Sequence, residues 1–334
     1  MFQSLLTLLG GISVFLYGLK TISQGTQSFI SKTKTQTLTN FVKRPVNGVF
    51  LGMVVAGVTQ SSVAVSFITV GLVELNVISF NVSAPIIMGA NVGTTITAQL
   101  VSLSGGEGVI IGSFASIIGL LTGFSKNNKL KNIGESLMGL GLIFAGLTIM
   151  NGAIVSLVFY GWFKSLFLIE NPIVLFLNGV VTTAVVQSSS AITGIMVLLA
   201  GNGMVGFKSA VFLTLGANVG SCFSVIFASL NKSVQAKRAS LFNFCFNLLG
   251  SLIFFPIMLV FGDEFATIFM ANNLDVGRAI ANFHTIFNLS CVVLFMPFYR
   301  TLTNLIAKFV CDQPKMKKRN TFYKTFTSKS RRFN

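Results

Sequence analysis

Two polar motifs occur twice in this chain at one fixed offset. Gln60-Ser61-Ser62 returns as Gln187-Ser188-Ser189, and Gly89-Ala90-Asn91-Val92-Gly93 returns as Gly216-Ala217-Asn218-Val219-Gly220, each 127 residues later. The segments between the motifs therefore align without a gap. Over 60–95 against 187–222, thirteen of 36 positions are identical. Identities on Gln, Ser, Asn and Gly cannot come from shared apolarity. Pro45 and Pro172 keep the offset, and residues 139–147 echo residues 11–19 at 128. Such self-similarity means that one supersecondary unit is built twice. Each unit reads as a helix, a proline, a Gln-Ser-Ser segment, an Asn-Val-Gly segment and a further helix.

Composition decides the solvent. Only 10% of the 334 residues are Asp, Glu, Lys or Arg, and the mean hydropathy is +0.79. So few charges cannot cover a soluble protein of this size, and the balance fits a polytopic membrane protein. Apolar stretches at 4–19, 109–124, 133–158, 172–200, 239–262 and 279–299 each supply roughly 17–25 residues of helix, enough for a hydrocarbon core about 30 Å thick. They are too long and too continuous for barrel strands, so the expected fold is all-α. The first stretch lacks a basic leader and a small-residue cleavage site, and is expected to be a retained helix. The four cysteines have no paired spacing and read as buried free thiols, without a metal site.

The net charge of +16 reads as a topology signal and not as a nucleic-acid surface. With Met1 outside, the first helix brings Lys20, Lys32, Lys34, Lys43 and Arg44 to the cytoplasm. Segment 46–73 is read as a hairpin that dips in and returns. Segment 78–103 crosses outward, leaving Glu107 outside, and 109–124 returns to Lys126, Lys129 and Lys131. Helix 133–152 goes out, a second hairpin at 173–200 dips from outside, and 207–230 crosses inward to Lys232, Lys237 and Arg238. Helix 239–262 leaves Asp263, Glu264 and Asp275 outside, and 279–299 returns to the basic tail. Twenty-one of 24 Lys and Arg then lie inside, with Lys164, Lys208 and Arg278 the exceptions. Three full crossings separate the two units, so they enter from opposite faces, as inverted repeats do in many secondary transporters.

The expected architecture is an all-α integral membrane protein of two inverted-topology repeats. Each repeat has a re-entrant helical hairpin and a broken transmembrane helix, and an additional C-terminal transmembrane helix follows. The boundaries are 1–125 for the first repeat, 126–262 for the second, 263–300 for the extra helix and 301–334 for a disordered basic tail. That tail is expected to lie in the cytoplasm against anionic lipid. No further domain is expected after it.

From Val46 to Gln60 is 14 residues, about 21 Å of helix, which passes the midplane of a core about 30 Å thick. A Gln-Ser-Ser tip there is tolerable only facing protein, water or a ligand. Pro85, Gly89 and Gly93 interrupt one later segment, and Gly216 and Gly220 the other. Local unwinding there would free carbonyls for a cation and N–H groups for an anion. A lone glycine pair beside serine usually serves helix packing; four polar clusters in register argue for binding. His284, the sole histidine, reads as a bonded structural residue before a proton relay. Asn243, Asn247, Asn282 and Asn288 are expected to bond between helices. No phosphate-binding loop, activated nucleophile or paired carboxylate set is present, so an enzyme is not expected.

At these residues the chain resembles the type II sodium-dependent phosphate cotransporters, in particular the bacterial NptA-like Na/Pi cotransporters. That family pairs Gln-Ser-Ser-Ser with Gly-[Ala/Ser]-Asn-[Ile/Val]-Gly-Thr-Thr in each of two repeats. Here the first pair is Gln60-Ser61-Ser62-Val63 with Gly89 to Thr95, and the second is Gln187-Ser188-Ser189-Ser190 with Gly216 to Cys222. The resemblance covers about residues 1–300. It implies Na⁺-coupled uptake of inorganic phosphate by alternating access in a bacterial cell (inner) membrane. It implies phosphate binding by Gln60, Ser61, Ser62, Asn91, Gln187, Ser188, Ser189, Ser190 and Asn218. It implies Na⁺ binding by Gln60, Ser62, Asn91, Thr94, Thr95, Gln187, Ser189, Asn218 and Ser221. Na⁺ is then the coupling ion, with no cofactor and no transition metal. Val63 and Cys222 each remove a hydroxyl from the family pattern, which bears on the Na⁺ count. The residues alone leave open a symporter of another small anion, a passive channel, a membrane sensor or scaffold, and a homo-oligomer.

Overall fold

The repeat is visible in the order of elements. The computed structural model describes residues 1–30, 39–103, 106–157, 160, 170–271 and 275–311, with the backbone alone at 26–30, 106 and 107. The first unit runs α1 (Phe2–Ile30), α2 (Pro45–Thr59), α3 (Ser62–Glu74), α4 (Phe80–Gly93), α5 (Thr95–Ser102) and α6 (Gly106–Gly123). The second runs α7 (Asn128–Leu157), α8 (Pro172–Val186), α9 (Ser189–Gly201), α10 (Phe207–Ser229) and α11 (Val234–Phe269). α12 (Val276–Phe295) and, after a 3₁₀ turn, α13 (Tyr299–Phe309) follow. No strand occurs among the described residues. Pro45 and Pro172 open α2 and α8 at a position where the missing N–H has no intrahelical partner to lose.

Among the described residues, five helices are long and apolar enough to cross a membrane: residues 2–25, 128–157, 207–229, 234–269 and 276–309. The outer surface is greasy. α6 exposes Ile110, Phe114, Ile117 and Leu121, and α8 exposes Ile173, Leu177, Val181 and Val185. That pattern is the reverse of a soluble helix bundle.

The glycines explain how the helices meet. α2 and α4 run parallel, and a Cβ on Gly89 or Gly93 would strike the carbonyl oxygen of Val49 or Met53. α8 and α10 repeat this in register: Gly216 and Gly220 face the carbonyls of Phe176 and Val180. So the Asn-Val-Gly glycines are first of all close-packing residues. α1 and α7 cross antiparallel. An added Cβ at Gly18 would stand 2.7 Å from Gly139 O, and one at Gly11 3.1 Å from Gly146 O.

Two expectations are corrected. The second Asn-Val-Gly segment does not break: α10 is continuous from Phe207 to Ser229. Its glycines sit against α8, and Ser221 and Cys222 bond back to the Asn218 carbonyl at 2.8 and 3.5 Å. In the first unit only Thr94 separates α4 from α5, and it keeps right-handed helical angles. The tail is also not irregular from 301 onward, because α13 continues to Phe309. Lys32, Lys34, Lys164, the Glu107 side chain and the basic cluster beyond residue 311 lie outside the described residues.

Contacts group the ends of the helices. Ser233 N–H donates to a Glu74 carboxylate oxygen at 2.7 Å, and Arg238 donates to the carbonyls of Ala307 and Val310. A cavity of about 330 Å³ joins Lys43, Pro45 and Asn81 to Tyr299 and Arg300. At another place Arg278 donates to Ser102 Oγ at 2.8 Å, beside a cavity of about 180 Å³ lined by Ser102, Asn151, Asn202 and Asp275. Phe254, Phe283 and Phe287 pack edge-on or stacked between α11 and α12.

Candidate substrate and ion site

Gln60 and Gln187 end their helices alike. Each has left-handed backbone angles, φ 56° and 60°, and returns its N–H to Ala56 O or Thr183 O. A left-handed residue stops a helix and turns the chain. The next residues, Ser61 and Ser188, are extended and cap α3 and α9, accepting from Ala64 and Ala191 N–H at 3.1 and 3.2 Å. Ser62 and Ser189 then open these helices and are buried. Each Gln-Ser-Ser motif is thus a helix end, a turn and a new helix N-terminus, with the partial positive charge such a terminus carries.

The two units touch through these motifs. Thr94 Oγ1 and Ser190 Oγ lie 2.7 Å apart, and Ser190 Oγ donates to the Gln60 carbonyl at 3.4 Å. Thr97 Oγ1 donates to Gln60 Oε1 at 2.7 Å, and Gln60 Nε2 donates to Gly57 O. So Gln60, Thr94, Thr97 and Ser190 form one buried polar cluster. The second tip differs at its glutamine: Gln187 is exposed, while Ser188 is half-buried as Ser61 is.

Asn91, Thr95 and Ser221 are buried and bond to carbonyls three or four residues back. Asn91 Nδ2 donates to Ile87 O, and Thr95 Oγ1 to Val92 O. Ser221 Oγ donates to Asn218 O. Cys222 turns to the Asn218 and Asn243 carbonyls, as Thr95 turns to Val92. In this arrangement, replacing Thr by Cys removes no hydroxyl from the cluster. Asn218 Oδ1 lies 3.4 Å from His284 Nε2, while Asn218 Nδ2 and His284 Nδ1 have no partner. Of the four other asparagines, Asn247 and Asn288 bond within their own helices, and Asn282 accepts from Gln99 of α5.

Thr97 and Ser224 escaped the sequence reading. They too are 127 apart and both carry hydroxyls; extending the self-comparison two residues beyond Cys222 finds them. No acidic or basic side chain belongs to the motifs, and no cluster of three metal-ligating side chains occurs among the described residues. Neutral oxygens in a dry interior suit a hard monovalent cation, and hydroxyls with amides suit a small anion.

The Na⁺/Pi-cotransporter family model matches residues 14–152 and 162–290. The uncharacterized protein YqeW of Bacillus subtilis is 29% identical over 303 residues, 90% of this chain and 94% of its own length. YjbB of Escherichia coli, named as a candidate inorganic phosphate export protein, is 23% identical over 94% of this chain. This chain spans 57% of YjbB's length. The human sodium-dependent phosphate transport protein 2B is 34% identical over 101 residues, 30% of this chain and 15% of that protein. No solved structure matches the chain.

Proposed function

The chain belongs to the Na⁺/Pi-cotransporter family, and from that premise we propose that it is a Na⁺-coupled symporter taking inorganic phosphate across a bacterial cell (inner) membrane. The observation that carries this reading is the cross-unit contact of Thr94 and Ser190 beside Gln60. Residues of both Gln-Ser-Ser tips and of one Asn-Val-Gly segment meet there, although they are far apart in sequence.

The packing supports inverted repeats. Gly11 meets Gly146, and Gly18 meets Gly139; these are each other's counterparts at the 128-residue offset. Such reciprocal antiparallel contact is what a two-fold axis between equivalent units produces. The parallel course of α2 and α4 supports re-entrance. With α3 returning between them, both open ends of the first hairpin fall at one end of the molecule.

The grouping of helix ends supports the charge-based topology. Lys43, Glu74, Ser233, Arg238 and α13 connect at positions read as cytoplasmic. Ser102, Asn151, Asn202, Asp275 and Arg278 gather at positions read as external.

At the site, the α3 and α9 N-termini and the serine hydroxyls hold the anion. The Gln60, Gln187, Asn91 and Asn218 amide oxygens, with Ser62, Thr94, Thr95, Ser189 and Ser221, hold Na⁺ when it shares the site. No motif residue carries a charge, so Na⁺ must neutralise the phosphate. A divalent anion entering against 100 mV, inside negative, costs about 4.6 kcal/mol. Two Na⁺ cancel that, and a third adds drive. The same site run against reversed gradients would export, as YjbB's name describes for that protein.

Proteoliposomes holding the purified protein test the reading. An inward Na⁺ gradient should drive labelled phosphate above its equilibrium level, and collapsing the gradient should release it. Accumulation indifferent to Na⁺ rejects the coupling, and equal competition by sulfate or a dicarboxylate rejects phosphate as the preferred anion.

A further inference from the structure

Contacts inside the two units match at the 127-residue offset. Gly89 against Val49 O is matched by Gly216 against Phe176 O, Gly93 against Met53 O by Gly220 against Val180 O, and Gly52 against Ile86 O by Gly179 against Leu213 O. The tips match in backbone as well, with φ, ψ of 56°, 26° at Gln60 and 60°, 23° at Gln187.

One side-chain contact does not match. Thr97 Oγ1 donates to Gln60 Oε1 at 2.7 Å. Its counterpart pair is Ser224 and Gln187. Ser224 keeps a hydroxyl, and that hydroxyl is buried with no partner. Gln187 keeps the carboxamide, and it is exposed. A buried hydroxyl without a partner is costly, most of all where no water competes. Two further differences accompany the missing bond. The first unit is interrupted at Thr94, whereas α10 runs unbroken past the equivalent Ser221. Val63, at the position equivalent to Ser190, has no hydroxyl to reach the Gln187 carbonyl.

We propose that Ser224 is the positioning residue of the second tip: in the ligand-bound arrangement Ser224 Oγ donates to Gln187 Oε1, docking that tip as Thr97 docks the first. The arrangement described above is the undocked one. This rests on the transport reading of the same site. It assigns Ser224 a role that needs no direct contact with phosphate or Na⁺. It also predicts an opposite effect on the free and the bound protein, which a merely structural serine would not show.

The test uses the full chain in detergent, with NaCl and inorganic phosphate as probes and thermal unfolding as readout. Ser224→Ala should leave the ligand-free midpoint unchanged or higher, because it removes an unpaired hydroxyl. It should weaken phosphate affinity in saturating Na⁺ about tenfold, and Ser224→Thr should restore it. Gln187→Ala should weaken it to a similar degree, and the double variant should be no weaker than Gln187→Ala alone. A lowered ligand-free midpoint with unchanged affinity overturns the proposal, as does an approximately hundredfold, multiplicative loss in the double variant. The transport reading is judged separately: absence of Na⁺-driven uptake by the unmodified protein overturns it whatever the variants show.

Discussion

Ser190 Oγ lies 2.7 Å from Thr94 Oγ1, while Val63, the 127-residue counterpart of Ser190, has no hydroxyl to offer Ser221, the counterpart of Thr94, so this hydroxyl pair exists once and not twice. Ser221, lacking a partner across the units, turns back to the Asn218 carbonyl at 2.8 Å. The asymmetry between a buried Gln60 and an exposed Gln187 follows the same line.

Thr94→Val and Ser190→Ala should therefore each lower Na⁺-driven phosphate uptake about tenfold, which is about 1.4 kcal/mol in the rate-limiting barrier. Combined, they should cost little more than either alone, since both delete one bond. Independent losses in the double variant would mean that the two hydroxyls serve separate ligands.

Val63→Ser supplies the hydroxyl that Ser221 lacks. It should fold, and it should lower the Na⁺ concentration for half-maximal uptake. Adding Ser221→Ala should abolish that gain. A Na⁺ titration of uptake by the single and double variants decides it.

The close-packing glycines predict a stability contrast. A Cβ at Gly89 meets the Val49 carbonyl, which is backbone and cannot step aside. Gly89→Ala should destabilise by about 1–3 kcal/mol through forced separation of α2 and α4. Gly71, with nothing within 4 Å of an added Cβ, should tolerate Ala or gain up to about 1 kcal/mol from helix propensity. Unfolding midpoints of the two detergent-solubilised variants compare them directly.

The doubled motifs and the apolar stretches made the helical, twofold plan legible in the sequence. Counting helix from Val46 places a tip at Gln60, and the structure ends α2 (Pro45–Thr59) there; the serine caps that follow came from the structure. The Asn-Val-Gly segments misled. Glycine permits both unwinding and close approach, and only the partner helix decides between them; at Gly216 and Gly220 α8 is near enough to require glycine with α10 unbroken. The cluster at Gln60 was legible except for Thr97, which sits beyond the identity block. The contact of His284 with Asn218 was not legible, since a single histidine on an apolar helix carries no partner information in its spacing.

That contact makes a prediction of its own. His284 Nε2 is the group facing Asn218 Oδ1, and a glutamine amide can place a nitrogen near that position. His284→Gln should keep uptake within about threefold. His284→Leu leaves the buried Asn218 amide with neither atom paired, at about 1–3 kcal/mol, and should raise the Na⁺ concentration for half-maximal uptake about tenfold or more. Equal effects of Gln and Leu would show that His284 fills space only.

The tie between the two units at Glu74 predicts a pH dependence. Hydrogen bonds from Ser233, its hydroxyl first and its backbone N–H second, hold the Glu74 carboxyl below its ordinary value. Unfolding frees the carboxyl, so the unfolded chain binds the proton more readily. The tie therefore stabilises fully at pH above the ordinary carboxylate range and fades as pH falls through Glu74's lowered value. Because the pair is exposed, its effect is small. Glu74→Gln should lower the unfolding midpoint at pH 7 by about 1–2 °C, and the gap between variant and parent should close on acidification. A gap that widens toward low pH would reverse the assigned sign. Lys232 adds an attraction in the same direction, so high salt should shrink the gap at pH 7 without removing it, leaving the Ser233 hydrogen bonds as the larger part.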